Sequence, residues 1–363
     1  MTIRNLVESA EVIVCTGPGG VGKTTTAAAI GMAASMAGRK AVVITVDPAR
    51  RLADALAAHL GAEPTLIVDD ELDEDSNSEL AGELWAMTLD PGHTFDALVR
   101  EHASKKGQAE EILANAFYQR LSRSLGSTQE YMAAEALHLL HHDERFDLVV
   151  VDTPPAHHAL ALLDAPQRLT KFLTNRLYRT LVRPTGGLSR LAIGSARGLT
   201  KRVASVVGGQ VLDDALGFFE AFSGMEDGFA KRASEVTELL ASDECQFVIV
   251  ATPDAEAVAT SQLLGQELSG RKIATRGVVL NLTTPDPWPR LAAHEAELAA
   301  TGPELRLRLV AARQLHDAAA HEVERTAPLE QLVGEDALAR VPRFINEIHD
   351  RGGLRLIAKS LTG

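Results

Sequence analysis

A chain of 363 residues with 45% hydrophobic and 23% charged side chains holds enough apolar material for one large or two ordinary domains, which excludes disorder as its global state. Its formal net charge of -13 opposes a general nucleic-acid binder, because a phosphate backbone would repel most of such a surface. Cys15 and Cys245 are too few and too far apart for a disulfide scaffold or a Cys-x-x-Cys metal site, and they fit a reducing cytoplasm.

The N-terminal MTIRNLVESAEVIVCTG lacks a basic-then-apolar signal pattern. No apolar run in the sequence approaches the roughly 20 residues that a membrane span needs, so the expected location is cytoplasmic and any membrane contact peripheral.

In chain order, EVIVCT (11–16) predicts a first buried strand, followed by the glycine-rich TGPGGVGKTTT (16–26) and an alanine-rich helix over 24–37. KAVVITV (40–46) predicts a second strand. DDELDEDSNSE (69–79) puts six acids into its first seven residues and reads as a solvated loop, with a cation site as the alternative. His138, His141 and His142 read as a polar helix end rather than a metal site.

Further strands are predicted at FDLVVVD (146–152), QFVIVAT (246–252) and RGVVLNL (276–282), with a helix over 254–268. Continuous Val/Ile runs of this kind suit strands buried on both faces, and their alternation with helices implies an α/β fold: a doubly wound, mostly parallel sheet. The stretch 165–242 has helical spacing without a convincing strand. It reads as a helical insertion in an α/β core of residues 1–164 and 243–363.

Gly17, four residues, then Gly22-Lys23-Thr24 fits G-x-x-x-x-G-K-[ST], and it lies between a predicted strand and a predicted helix, the context that this phosphate-binding motif requires. The glycines at 17, 19, 20 and 22 let the backbone turn its N–H groups toward phosphate oxygens, and the helix that follows adds its positive end. The nucleotide-binding set is therefore Gly17, Gly19, Gly20, Val21, Gly22, Lys23, Thr24 and Thr25. Lys23 is expected to reach the β- and γ-phosphates and the Thr24 hydroxyl to ligate Mg2+. Asp152, at the tip of LVVVDTPP, is the expected second holder of the metal.

With these residues in place, the chain resembles the ArsA-type P-loop ATPases, the arsenite-pump ATPases and guided-entry ATPases for tail-anchored membrane proteins. TGPGGVGKTTTAAA resembles the family's phosphate loop, TVDPARRLADAL (45–56) its switch I, and DTPPAHHALALL (152–163) its switch II. Shorter likenesses follow at FSGMEDGFA (222–230), ATPDAEAV (251–258), VVLN ending at Asn281, and VPRF (341–344). The resemblance implies ATP as the nucleotide and a dimer with two nucleotides facing each other. It implies that Asp47 positions or activates the attacking water, that Asn281 contacts adenine, and that the backbone near Val341 and Pro342 forms a second wall of the base pocket.

The chain departs from the family pattern at two positions. His158 matches the switch II histidine, but His157 stands where the family usually has glycine, which predicts a stiffer loop. Pro18 stands where the family has a lysine that reaches the partner's phosphates. Loss of that charge leaves three alternatives: compensation by Arg50 or Arg51, a heterodimer with an ArsA-like paralogue that donates its own lysine in place of a homodimer, or a regulatory subunit that hydrolyses slowly.

Residues 165–212 carry nine lysines and arginines and no acid, with leucines at 169, 173, 177 and 181 in helical register. Basic amphipathic helices of this kind suit an anionic membrane surface, an acidic partner or an apolar cargo segment, and equally an ordinary solvated helix face. Two isolated cysteines exclude both the family's cysteine trio for arsenite and its Cys-x-x-Cys zinc clamp, so no zinc is expected.

Overall fold

The structure, a computed structural model, describes residues 2–47, 49–67, 82–103, 105–119, 129–174, 209–344, 348 and 350–363. The acidic stretch 69–79 and most of the basic stretch 165–212 lie outside these residues. The chain divides into two compact units, one of Met1–Thr88, Leu140–Leu160 and Ala241–Gly363, the other of Leu89–Leu139 and Ala161–Leu240.

Among the described residues the first unit is built on eight strands: β1 (Val12–Thr16), β2 (Lys40–Thr45), β3 (Thr65–Leu66), β4 (Glu83–Thr88), β5 (Leu148–Asp152), β6 (Cys245–Ala251), β7 (Thr275–Thr283) and β8 (Leu338–Pro342). They form one sheet in the order β3-β4-β2-β5-β1-β6-β7-β8. Every pairing is parallel except that of β3 with β4. All residues of β1, β5 and β6 are buried, as their unbroken Val/Ile runs require of strands covered on both faces. The five expected strands and the mostly parallel α/β sheet are present, while β3, β4 and β8 had not been anticipated.

β1 lies between β5 and β6, so the chain winds to one side of it through β2 and β4, returns as β5, and then crosses to the other side for β6, β7 and β8. A reversal of winding opens a crevice at the carboxyl ends of the strands, where sheets of this class bind ligands. The helix Lys23–Met36 lies against β2 and β5 and is buried along nearly its whole length. Its alanines permit close approach, and at Gly31 even a methyl group would come 2.5 Å from Val43 Cγ2. The helix Arg351–Thr362 packs on it with Leu354, Ile357, Ala358 and Leu361, a set spaced three and four residues apart that marks an amphipathic face. Arg39 ties this unit together, donating to the carbonyls of Val7 and Ala10 at 2.7 Å each and to that of Asp147.

The second unit is helical, built from Pro91–His102, Gln108–Ala114 and Gly209–Phe222 together with Glu226–Ala241 and most of Gln129–His141 and Ala156–Thr174. It therefore takes in 89–139, which the sequence reading had placed in the core, together with the described residues of 161–240. Aromatic packing explains the grouping: Phe95 stacks on Tyr118 at 5.4 Å, Tyr118 on Phe218 at 6.0 Å, and Phe222 lies 5.0 Å from Phe229. Side-chain amides reinforce it, with Gln108 donating to the Ala221 carbonyl at 2.7 Å and Asn115 to that of Asp214 at 2.9 Å. Arg168 and Lys171 are exposed at the described start of the basic stretch. His138 is buried, with Arg232 beside its Nδ1 at 3.1 Å. Among the described residues, no helix is long and apolar enough to cross a membrane.

Two stability predictions follow from these contacts. Arg39→Ala leaves three carbonyls without their donor and is expected to lower the unfolding free energy of the sheet unit by about 3 kcal/mol. Urea unfolding followed by fluorescence checks it, since Trp85 and Trp288 both lie in that unit. In the helical unit, burial pushes the Glu135 carboxyl up to about 7, against the opposing pull of Arg232. A carboxyl raised above its unfolded value binds its proton more tightly in the folded chain, so this group favours folding more as pH falls from 7 toward 4.5. Wild type should therefore gain about 2 kcal/mol relative to Glu135→Gln between pH 7 and pH 5. Parallel urea titrations at the two pH values measure the difference, and an unchanged gap would refute it.

Candidate functional site

The turn after β1 takes its shape from two glycines. Gly17 has φ 151°, and a methyl group there would stand 2.0 Å from the Val250 carbonyl oxygen of β6. Gly22 has φ 86°, and a methyl group there would stand 2.3 Å from Asn281 Nδ2. Only glycine combines these angles with this proximity. Gly22 precedes the helix Lys23–Met36, whose first turn carries no acidic side chain to compete for its unpaired N–H groups.

Three parallel strand ends meet beside this turn. Cys15 of β1 and Thr45 of β2 both stand in register with Asp152 of β5. The Thr24 and Thr45 hydroxyls each donate to Asp152 Oδ2 at 2.8 Å. Asp152 Oδ1 is buried and has no hydrogen-bond partner among the described residues. Burial raises the Asp152 carboxyl above the ordinary carboxylate range, with the two hydroxyls and Lys23 opposing the shift. Burial likewise lowers the Lys23 ammonium, and Asp152 opposes that shift. Lys23 Nζ donates to the Pro18 carbonyl at 2.7 Å, so the lysine spans the mouth of its own loop. A carboxylate oxygen without a partner next to a hydroxyl suits a small hard cation, and Thr24 with Asp152 fits Mg2+ on that ground.

The remaining expected residues lie at the same edge of the sheet with varied engagement. Asp47 follows β2; its Oδ1 accepts from the Ala49 N–H at 2.9 Å and its Oδ2 lies 3.4 Å from Arg51 NH1. It is near enough to oppose the shift on Lys23 and to raise Asp152 further. Arg51 is exposed yet also acts on Lys23. Asn281, buried in β7, donates to the Val21 carbonyl at 3.0 Å and so supports the turn from below. Pro342, the last residue of β8, pairs with Thr283 of β7. The backbone of His157 and His158 lies in the first turn of the helix Ala156–Thr174, a conformation that needs no glycine; their side chains fall outside those described.

Two residues had escaped the sequence reading. Thr45 supplies the second hydroxyl on Asp152, and Thr153 Oγ1 donates to the Cys15 carbonyl at 2.8 Å, fixing the end of β5 to β1. Both stand at strand ends beside marked aspartates, the one signal that could have found them. A cleft of about 520 Å3 opens beside the turn, walled by Pro18, Gly20 and Pro155 on one side and by Thr252 and Glu256 on the other.

Comparison with known proteins agrees with this geometry. The family model described as anion-transporting ATPase matches residues 10–294, a span that contains the turn, Asp47, Asp152 and Asn281. ATPase ASNA1 homolog 2 of Paramecium tetraurelia is 25% identical over 286 residues, covering 77% of this chain and 78% of its own length. ATPase get3 of Schizosaccharomyces japonicus is 26% identical over 295 residues, 79% of each chain. ATPase ARSA2 of Chlamydomonas reinhardtii is 27% identical over 297 residues, 77% of this chain and 70% of its own. With the phosphate turn, the strand-end aspartate and the matched span in agreement, the chain belongs to the ArsA-type, anion-transporting ATPase family.

Proposed function

We propose that this chain binds Mg-ATP at the turn 16–26, hydrolyses it as part of a dimer, and uses the change of nucleotide state to move its helical unit. The observation that carries the reading is the arrangement at Asp152, where two hydroxyls share one oxygen and the other is buried without a partner among the described residues. Thr24 and Asp152 would hold Mg2+, which when bound neutralises charge on the β- and γ-phosphates. Lys23 leaves the Pro18 carbonyl to meet the phosphates, and the turn's N–H groups take the remaining oxygens. Asp47, released from Arg51, accepts a hydrogen bond from the attacking water and orients it.

Switch II connects chemistry to motion in this reading. Asp152 ends β5, and four residues after it the helix Ala156–Thr174 begins, which continues into the helical unit. A partner or membrane-protein cargo, or a membrane surface met by the basic residues of 165–212, would sense that motion. The proposed setting is the cytoplasm. Asn281 and the strand end at Pro342 are the proposed side of the base.

A second reading is favoured by Pro18. Its side chain carries no charge, and its carbonyl occupies Lys23. On that reading the chain is a slow regulatory subunit of a heterodimer with an ArsA-like paralogue that supplies the missing cation.

ATP turnover of the purified chain, recorded with oligomeric mass in the same samples, tests both. Asp152→Asn is expected to reduce turnover about 100-fold or more, and Lys23→Ala to bring it to the no-enzyme rate. Retention of wild-type turnover by either variant would sink the ATPase proposal. Pro18→Lys is expected to raise turnover of the chain alone at least about tenfold by restoring charge near the transferred phosphoryl group. No gain would mean that this charge is already present within the chain, and the heterodimer reading would fall.

A further inference from the structure

At the end of the sheet opposite the phosphate turn, three side chains from separate segments converge. Glu11 immediately precedes β1, Glu244 immediately precedes β6, and His141 ends the helix Gln129–His141. One ligand atom from each lies within 4.8 Å of the other two. His141 Nε2 is 2.8 Å from Glu11 Oε2 and 3.8 Å from Glu244 Oε2. We propose that Glu11, His141 and Glu244 form a binding site for a divalent first-row transition ion that pins the amino ends of β1 and β6 to the helix before β5.

The argument rests first on spacing. In a tetrahedral shell with bonds of about 2.1 Å, donor atoms stand about 3.4 Å apart. The observed separations of 2.8 Å and 3.8 Å bracket that value, so small side-chain rotations bring all three donors to a metal. Backbone pairing fixes the platform beneath: Val12 N–H donates to the Glu244 carbonyl at 3.0 Å and Val149 N–H to that of Glu11 at 2.8 Å.

Charge is the second ground. A protonated imidazole offsets one of the two carboxylates, whereas a dication offsets both. Arg39 acts on Glu11 only at longer range, its donors being taken by three backbone carbonyls, and Arg276 bonds Asp243 at 2.8 Å. The imidazole is largely buried, and among the described residues its Nδ1 has no hydrogen-bond partner. Burial restricts the ring, and Nε2 faces the two carboxylates. One nitrogen with two carboxylate oxygens suits Zn2+, Mn2+, Fe2+ or Co2+, and three protein ligands leave a position for water. This ligand set is unrelated to the cysteine sites that the sequence excludes, and it uses a histidine that the sequence alone placed at a polar helix end.

The test is a Co2+ titration of the metal-stripped full chain, free of nucleotide and Mg2+, read by the visible absorption of bound Co2+ and by competition with Zn2+. One tight equivalent is expected, weakened at least about tenfold in Glu11→Gln and in His141→Ala but kept in Asp152→Asn, which separates this site from the nucleotide site. Zn2+ should also raise the melting temperature of wild type and not of Glu11→Gln. Because Glu11 is half exposed, its variant keeps the test sound if His141→Ala fails to fold. Binding of equal strength in wild type and Glu11→Gln, or none tighter than about millimolar, overturns the proposal.

Discussion

Asp152 is the residue on which the proposed nucleotide site depends. A carboxylate at the end of a fully buried strand would be costly if it stood alone, since removing an ion from water without compensation favours its neutral form. Here two threonine hydroxyls and the nearby Lys23 offset that cost in part, and the raised carboxyl shows that the offset is incomplete. Lys23 is in the mirror condition, lowered by burial and sustained by Asp152. The pair is thus a desolvated cation and a desolvated anion, the anion with one oxygen that has no partner among the described residues. On the proposed function, polyphosphate with a divalent cation would offset both charges.

The sheet makes this arrangement possible. Parallel pairing places Cys15, Thr45 and Asp152 in register, so the loops leaving β1, β2 and β5 start from one level. Gly17 brings the turn against the Val250 carbonyl of β6, and Gly22 brings it against Asn281 of β7, so two strands on the far side of β1 from β5 shape this loop. Asn281 then has a role that does not depend on nucleotide: its amide holds the Val21 carbonyl. On the proposed function, Asn281 would face the base only through atoms that this hydrogen bond leaves over, which would tie base binding to the set of the turn.

Much of this was legible in the sequence because the signals are local. The phosphate turn is contiguous, and strands buried on both faces appear as unbroken Val/Ile runs, which is why β1, β2, β5, β6 and β7 stand out. β4 did not stand out because ELWAMT is only partly buried and mixes polar with apolar residues, and β8 because LARVP is short and its early residues are half exposed. Residues 89–139 carry helical patterning, but what assigns them to the helical unit is contact between Phe95, Tyr118, Phe218 and Phe229, far apart in sequence. Thr45 and the grouping of Glu11, His141 and Glu244 were hidden for the same reason: strand register, not spacing along the chain, brings them together.

The two cysteines complete the electrostatic picture. Cys15 lies fully buried in β1 next to Asp152 in register, and burial, with the neighbouring negative charge, drives its thiol far above its ordinary value despite the opposing pull of Lys23. Cys245, buried in β6, is pushed up to about 12. A thiol reacts as its thiolate, so neither cysteine offers an accessible nucleophile or oxidation site at neutral pH. The buried thiol under the phosphate turn acts as a small apolar filler that keeps β1 packed against β5 and β6. On the proposed function, control of the turn would act through charge rather than through these thiols, by phosphates and Mg2+ at the end of β1 that Lys23 and Asp152 flank.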